Sequence, residues 1–324
     1  MGACVKDAPI PPPVGDCTPQ QQFIQSEFSH DKYQYKQPFF NPLNTNEFVY
    51  YYIDYDDYQL GNAQFQIRTY NLETNENKLL FNYNTSLTEF KWSRKGWIAF
   101  RDIWAAQIFI MKENGDSLIQ KSGNALNYSP CWNFSGSKIY YKYTPTQGHP
   151  YYFLSQPLQG NSIDTLLIPD DLYYGVTNLN DVSSKNELVS VTLIDNTPTI
   201  ATSPLELLDF KPLVNMEVGF NTEFPTGMCW SADGNKIYVS IYQNGLFEIN
   251  AETGVFKKIM KYCWDREYSN ISSSPDGKYL IGELVEKYYR LNDDGEAYGD
   301  IATNSSLYLI DLATMEETKV NLEL

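Results

Sequence analysis

One short phrase recurs along this chain and constrains its fold more than any other feature. It reads CWSADGNKIYVS at 229–240 and SSSPDGKYLIGE at 272–283, with a looser copy, CWNFSGSKIYYK, at 131–142. In each copy a glycine-containing turn is followed at once by alternating apolar residues, which is the pattern of a strand–turn–strand unit. The tryptophans of related copies, Trp92 and Trp132, lie 40 residues apart. A period of about 40–50 residues built from short strands is typical of a β-propeller.

Each copy is followed by a second pair of predicted strands with its own turn. Degenerate copies at 39–52 and 182–191 complete the series, so we predict an all-β, six-bladed β-propeller of four-stranded antiparallel blades. The alternative is a β-sandwich with accidental repetition, although sandwiches require no fixed period. We expect the last blade to close the ring on the first, with residues 22–28 as a candidate extra strand. The second strand pairs are predicted at 66–80, 108–120, 151–168, 199–214, 246–259 and 307–320.

Helix signals are nearly absent from the chain. No apolar face at a spacing of 3.6 residues runs through it, and its 26 Tyr and 17 Phe favour strands. We therefore expect less than about a tenth of the residues in helices, well below the usual share in globular proteins. We also expect the repeated tryptophans Trp92, Trp132 and Trp230 to be buried between blades as structural residues.

The phrase WSADG at 230–234, together with IFIMKENG at 108–115, resembles the propeller repeats of the TolB-like, or PD40, family. The resemblance covers about residues 39–322 and implies the propeller fold. It leaves function open, because the family includes periplasmic scaffolds, surface lipoproteins and the propeller halves of some peptidases. The nucleophile elbow of those peptidases, Gly-x-Ser-x-Gly, occurs nowhere in this chain. The resemblance therefore carries over a fold and no catalytic residue.

The charge balance narrows the range of partners. The chain of 324 residues has 40 acidic and 24 basic residues, which gives a net charge of −16. Nucleic acid and anionic lipid would both be repelled by this charge, so we expect no nucleic-acid partner and no direct adsorption to a membrane. No apolar run approaches a membrane-spanning length. A repeat architecture accommodates this length in one domain, which we expect to be monomeric.

The N-terminus indicates an exported protein. Gly2 and Ala3 precede Cys4 in the way that small residues precede an acylated cysteine, and Lys6-Asp7 resembles the charged export tag of Bacteroidota surface lipoproteins. The proline-rich tract at 9–13 would form a stiff spacer. We therefore expect lipidation at Cys4, a lipoprotein-like tether over 1–21, a propeller over 22–324, and a location in the bacterial envelope at the outer membrane. A cytosolic protein with an ordinary thiol at Cys4 is the alternative.

The remaining cysteines and histidines do not predict a metal site. Cys229 and Cys263 are the better disulfide candidates, with two small buried apolar residues as the alternative. His30 and His149 are the only histidines and no CxxC is present, so a zinc site is not expected. The acidic stretch at 292–300 has its Gly at the fourth place rather than the sixth, which disfavours a calcium loop. We predict no metal and no cofactor.

Propeller geometry divides the connections between two faces. Turns between the first and second strands, and between the third and fourth, share one face, the turn face; the other connections form the long-loop face. The second set is predicted to be long and rich in Tyr, Trp and charged residues, as at 54–62, 143–152 and 286–300. Functional residues concentrate on loops held by a rigid scaffold, so we expect ligand or partner binding there. The candidate residues are Arg101, Asp102, Trp104, His149, Tyr151, Tyr173, Tyr174, Trp264, Asp265, Arg266 and Tyr268.

Two classes of function follow from these patterns. The first is an exported, non-catalytic propeller that binds a protein partner or an envelope glycan, since aromatic residues beside both charge signs suit either ligand. The second is a carbohydrate-active propeller, a glycan hydrolase or lyase, that uses acidic residues around the channel. Adjacent carboxylate pairs are too numerous to nominate a catalytic pair, so the first class is preferred.

Overall fold

The computed structural model describes residues 23–24, 33–55, 63–123, 126–145, 152–167, 181–220, 225–263, 265–291 and 297–322. Within these ranges it contains 25 strands and one helix of five residues. The strands form six sheets arranged as a β-propeller, as the repeat predicts. The described residues contain no helix with the length and apolar character that a membrane crossing would require.

Each blade takes its four strands from one continuous stretch of chain, and strands adjacent in sequence pair antiparallel. Blade 1 consists of β2 (Tyr33–Phe40), β3 (Glu47–Asp54), β4 (Gln64–Asn71) and β5 (Asn77–Tyr83). Blade 2 consists of β6 (Leu87–Trp92), β7 (Trp97–Asp102), β8 (Gln107–Lys112) and β9 (Ile119–Gln120). Blade 3 consists of β10 (Leu126–Trp132), β11 (Lys138–Thr144), β12 (Tyr152–Pro157) and β13 (Asp164–Leu167).

The second half of the ring repeats this arrangement. Blade 4 consists of β14 (Asp181–Val182), β15 (Glu187–Ile194), β16 (Thr197–Pro204) and β17 (Lys211–Asn215), followed by α1 (Met216–Phe220). Blade 5 consists of β18 (Pro225–Trp230), β19 (Lys236–Ile241), β20 (Gly245–Asn250) and β21 (Phe256–Lys261). Blade 6 consists of β22 (Arg266–Ser273), β23 (Tyr279–Leu291), β24 (Ala297–Asp311) and β25 (Glu317–Lys319).

The first strands of the six blades surround a central channel. Each contacts the first strand of the next blade, and the series closes where β22 meets β2. Because the phrase found in the sequence spans the end of a first strand and the start of a second, its copies lie around the turn end of this channel.

Side-chain hydrogen bonds explain why the phrase recurs. The Ser231 hydroxyl donates to Asp233 at 2.6 Å and accepts the backbone N–H five residues further on, while Gly234 adopts a φ of 67°. Ser274 and Asp276 form the same bonds in blade 6. The serine thus pairs a turn amide that the strand ladder leaves unpaired, and glycine supplies the left-handed conformation.

The repeated tryptophans are buried, as predicted. Trp92, Trp132 and Trp230 are 4%, 6% and 4% exposed. The Trp132 indole N–H donates to the carbonyl of Lys91 at 3.1 Å, and Trp230 donates to the carbonyl of Asp181 at 3.2 Å. Each of these two rings therefore joins its blade to the preceding one by apolar packing and by one hydrogen bond.

Packing between the faces of blades 1 and 6 closes the ring, and a short strand from the N-terminal segment is added to blade 6. Phe48 and Tyr50 of blade 1 lie in one apolar cluster with Ile281 and Leu307 of blade 6. The candidate extra strand at 22–28 contains β1 (Phe23–Ile24). This strand pairs in parallel with Tyr289 and Arg290, near the C-terminal end of β23. All four strands of blade 1 come from residues 33–83, so β1 adds to the last sheet and does not complete the first.

Two sequence-based expectations are wrong. Most of segment 286–300, predicted as a long loop, continues β23 and β24 as a hairpin whose pairing extends to Leu291 and Ala297, because each arm supplies the backbone partners of the other. Cys229 is a free thiol buried in an apolar cluster, which matches the stated alternative, whereas Cys263 is disulfide-bonded, so the candidate bond between them does not form.

Candidate functional site

Several predicted site residues lie outside the described residues. These are Cys4, His149, Tyr151, Tyr173, Tyr174 and Trp264. The other candidates fall into two groups, one on blade 2 and one on blade 6.

On blade 2, the candidate residues Asp102 and Trp104 have different roles: Asp102 is buried and holds the loop in place, and Trp104 is exposed on it. Asp102 is 5% exposed, and its Oδ1 accepts the backbone N–H groups of Trp104 and Ala105, each at 2.9 Å. Its Oδ2 accepts the Thr85 hydroxyl at 2.8 Å. Asp102 thus fixes the loop at 103–106, on which Trp104 is 80% exposed.

Arg101 points in a different direction from Trp104. Its guanidinium lies 4.3 Å from the centre of the Tyr128 ring on blade 3. Its buried Nε has no hydrogen-bond partner within the described part of the chain. Arg101 therefore belongs to the wall between blades 2 and 3.

On blade 6, the polar groups of the Tyr268 and Arg266 side chains pair with Glu317 of the same sheet. Tyr268 is 1% exposed, and its hydroxyl donates to the Glu317 carboxylate. Arg266 forms an ion pair with Glu317 at 3.1 Å. Asp265 contributes its backbone carbonyl, which accepts the N–H of Lys287 at 2.7 Å. The two contacts with Glu317 join the first strand of the blade to its last, and the Tyr268 ring is buried.

The channel contains charged residues that the sequence reasoning missed. Lys91 of blade 2 and Asp181 of blade 4 form an ion pair at 3.6 Å, although blade 3 lies between them. Each of these two residues is the next-to-last residue of the first strand of its blade. Cys131 and Cys229 occupy the same position in blades 3 and 5. The sequence does contain a signal for these residues, because the repeat has a charged residue in two copies at the position that is cysteine in two others.

Backbone bulges narrow the middle of the channel. Gln37, Glu89, Ser129 and Asn270 each have φ between 47° and 61°, a conformation that is strained for residues other than glycine. Hydrogen bonds between blades stabilise it: the N–H of Glu89 donates to Gln37 Oε1 at 3.1 Å, and the N–H of Ser129 donates to Glu89 Oε2 at 2.7 Å. A chamber of only about 40 Å³ remains among these residues.

Glu89 is the most perturbed carboxyl group of this region. Burial raises its pKa to about 7, against the opposite effect of the Arg101 guanidinium. Burial also lowers the pKa of Lys142 to about 8, and Glu89 opposes that change. Glu89 Oε1 has no hydrogen-bond partner within the described ranges. The described residues contain no group of three or more His, Cys, Asp or Glu that could hold a metal ion.

Comparison with known proteins identifies a class of fold. No family model and no curated protein matches the chain. A solved protein of Agrobacterium tumefaciens described as a TolB has a TM-score of 0.59 and 12% identity over 77% of this chain and 86% of its own. The propeller domain of the Trilobed protease from Pyrococcus furiosus has a TM-score of 0.56 and 11% identity, over 91% of this chain and 100% of its own. A chain of a nidogen/laminin complex has a TM-score of 0.55 and 13% identity, over 78% and 88%.

These likenesses establish the fold. The chain is a six-bladed β-propeller of TolB-like architecture, as the repeated phrase indicated. At identities this low, function has to be argued from the residues themselves.

Proposed function

We propose that this chain is a protein-binding propeller that docks a partner on its long-loop face, with Trp104 as the anchor. The observation that carries the proposal is a tryptophan 80% exposed on a loop that is fixed by hydrogen bonds to the buried Asp102 carboxylate. Tryptophan is enriched among the residues that dominate binding energy at protein interfaces. A loop that is already ordered loses little conformational entropy on binding, which favours affinity.

We favour a protein over an envelope glycan as the partner. A sugar requires hydrogen-bonding groups beside the aromatic ring, but the Asp102 carboxylate already accepts three hydrogen bonds. Arg101 is stacked on Tyr128. The residue next to Trp104, Ile103, is itself 43% exposed. An aromatic and an aliphatic side chain together suit the apolar centre of a protein interface.

We rank binding above the alternative of a carbohydrate-active enzyme. A glycosidase needs two carboxyl groups on either side of a space that admits a sugar ring. Glu89 has the raised pKa of a general acid, but the chamber beside it has a volume of about 40 Å³, which has room for a few water molecules and not for a sugar ring.

The test measures affinity with the full chain. Immobilised wild-type protein and a Trp104→Ala variant are incubated with native envelope extract, and the affinity of each captured protein is then measured in purified form. We expect Trp104→Ala to weaken binding roughly tenfold to a hundredfold, as for an interface anchor. Leu207→Ala is the matched control, because Leu207 is 72% exposed on the turn face. Equal affinity of wild type and Trp104→Ala for every captured protein would refute the anchor.

We also propose an envelope location with a lipid anchor at Cys4 and a tether over 1–21. The disulfide at Cys263 supports an oxidising compartment, where such bonds persist. Mass spectrometry of the N-terminal peptide from native membranes should find an acylated Cys4. An unmodified thiol, on protein recovered in the soluble fraction, would overturn the anchor.

A further inference from the structure

A second cavity opens at the other end of the channel from Trp104, among the turns of the turn face. It has a volume of about 140 Å³, and all six blades contribute to its wall. Aromatic rings of Phe39, Trp132 and Phe134 form part of that wall, and Lys91, Arg94 and Asp181 are its charged residues. The proposed docking at Trp104 makes no use of this cavity.

The charged residues of the cavity leave one cation without a hydrogen-bonding partner. Asp181 Oδ2 accepts the backbone N–H of Trp230 at 2.9 Å, while its Oδ1 lies 3.6 Å from the Lys91 ammonium, beyond hydrogen-bond distance. Lys91 also lies 4.8 Å from the centre of the Phe39 ring. Within the described ranges the Lys91 ammonium has no hydrogen-bond acceptor, although only 17% of its side chain is exposed.

The hydroxyl groups of the cavity also present donors. Ser93 Oγ accepts the N–H groups of Lys95 and Trp97 at 3.3 and 3.1 Å. Ser183 Oγ accepts two backbone N–H groups in the same way, each at 3.1 Å. A hydroxyl that accepts two bonds has used both lone pairs and keeps only its own hydrogen to donate. Neither hydrogen has an acceptor among the residues that the structure describes.

At the rim, Arg94 adds a second cation. Its guanidinium is stacked 4.1 Å from the centre of the Phe134 ring, and no carboxylate of the described chain pairs with it. The cavity thus carries a net charge of +1, from Lys91, Arg94 and Asp181, in a protein whose net charge is −16. Lys91, Ser93 and Ser183 supply donors to the cavity, while the Asp181 carboxylate accepts one N–H through Oδ2 and faces the Lys91 ammonium through Oδ1.

From these observations we propose that the turn-face cavity binds a small carboxylate with an apolar body. Two carboxylate oxygens accept hydrogen bonds from Lys91 and the serine hydroxyls, Arg94 supplies charge at the entrance, and the aromatic wall contacts the apolar part. One water molecule requires about 10–15 Å³ of cavity volume. The volume of about 140 Å³ therefore has room for a ligand of about ten non-hydrogen atoms. The carboxylate belongs either to a free acid or to the C-terminus of a peptide.

Calorimetric titration of the full chain tests the proposal with 3-phenylpropanoate as the free acid and 3-phenylpropanamide as its neutral isostere. A second pair of probes is a short peptide ending in a phenylalanine carboxylate and the same peptide amidated. We expect saturable binding of one acid for each protein molecule and no binding of the amides. Binding of the peptide acid but not of the free acid would identify a chain terminus as the source.

Variants separate this site from general electrostatics. Arg94→Gln and Lys91→Met should each weaken binding roughly tenfold, because each removes a charged donor. Lys95→Gln removes the same charge one residue from Arg94 outside the cavity, and it should change affinity less than twofold. Since Arg94 is exposed, Arg94→Gln keeps the test valid even if loss of Lys91 unfolds the protein. Trp104→Ala should leave carboxylate binding unchanged.

Three results would overturn the proposal. They are the absence of saturable binding for both acids, equal binding of the acids and their amides, and affinity that is unaffected by Arg94→Gln. None of these outcomes bears on docking at Trp104, which lies on the opposite face.

Discussion

At the scale of single residues, Glu89 shows how a ring of blades changes the chemistry of a side chain. Its strand would leave a glutamate half in solvent, but the neighbouring first strands bury it and hold Oε2 against the N–H of Ser129. Burial without a partner for Oε1 disfavours the ionised form, so the pKa rises to about 7. The carboxyl group is therefore protonated in the folded protein at mildly acidic pH.

We predict that Glu89→Gln removes a pH dependence of stability. The pKa is about 7 in the folded state and 4.5 in its reference state, so the folded protein holds an extra proton between these values. The free energy of unfolding therefore falls as the pH rises from about 4.5 to 7, by about 3 kcal/mol from this group. Glutamine keeps the acceptor for Ser129 and cannot ionise.

Urea unfolding at pH 5 and pH 8 measures this effect. Relative to wild type, Glu89→Gln should gain stability at the higher pH, whereas Glu252→Gln, at an exposed position, should show no such gain. The prediction would be contradicted if the free energy of unfolding changed by the same amount between pH 5 and pH 8 in the wild type and in Glu89→Gln.

At the scale of elements, the turn between the first and second strands of a blade is a local unit with its own hydrogen bonds. In blade 6, the Ser274 hydroxyl accepts the N–H of Tyr279 at 3.0 Å and donates to Asp276 at 2.7 Å. Ser274 is fully buried, and its hydroxyl is the protein acceptor of the Tyr279 N–H.

We predict that Ser274→Ala lowers the free energy of unfolding by about 1–3 kcal/mol, because it removes the acceptor of the Tyr279 N–H and the donor to Asp276. Ser135→Ala is the control: Ser135 is exposed, and its hydroxyl forms a hydrogen bond with that of Ser137 at 2.8 Å. Denaturant midpoints compare the two variants. A loss for Ser274→Ala no larger than that for Ser135→Ala would show that the turn does not depend on this hydroxyl.

At the scale of the whole molecule, the contact between blades 1 and 6 decides whether the ring stays closed. Among the described residues, no strand of β2–β5 pairs with a strand of blade 6, so the contact depends on the apolar cluster around Phe48 and Leu307 and on bonds such as that from the N–H of Phe40 to Ser272 Oγ. The N–H of Gln37 also donates to Glu283 Oε2 at 3.1 Å. All of these contacts join residues more than 200 positions apart in the chain.

We predict that Leu307→Ala costs about 2–5 kcal/mol of stability and opens the ring at this contact first. Leu307 is 1% exposed, whereas the control Leu79→Ala truncates a side chain that is 41% exposed. In a hydrogen-exchange measurement, the backbone amides of β2 and β23 should lose their protection before the amides of blades 3 and 4 do. Uniform loss of protection around the ring would argue that closure is not the weakest contact.

Much of the fold was predictable because its information is local. The segment from Ser231 to Gly234 contains the acceptor, the donor and the residue for positive φ that its turn needs, and the period of these turns yields six blades. The burial of Trp92, Trp132 and Trp230 follows from their equivalent places in the repeat. Segment 286–300 was not predictable in this way, because polar and aromatic residues occur both in loops and in exposed hairpins.

The candidate sites were predictable only in part. Trp104 stands out in the sequence, but so do Asp102 and Tyr268, and only the packed structure separates an exposed ring from a buried support. The ion pair between Lys91 and Asp181 could not be predicted from the sequence, because the two residues lie 90 positions apart on blades that are not neighbours.

The sequence by itself therefore determined the strands, the turns and the number of blades, because hydrogen bonds within a few residues specify each of them. Only the tertiary structure decided which side chains meet across the channel, which carboxyl group loses its water and which ring remains exposed. Those properties depend on how six blades close around one axis, and no short stretch of sequence contains that geometry.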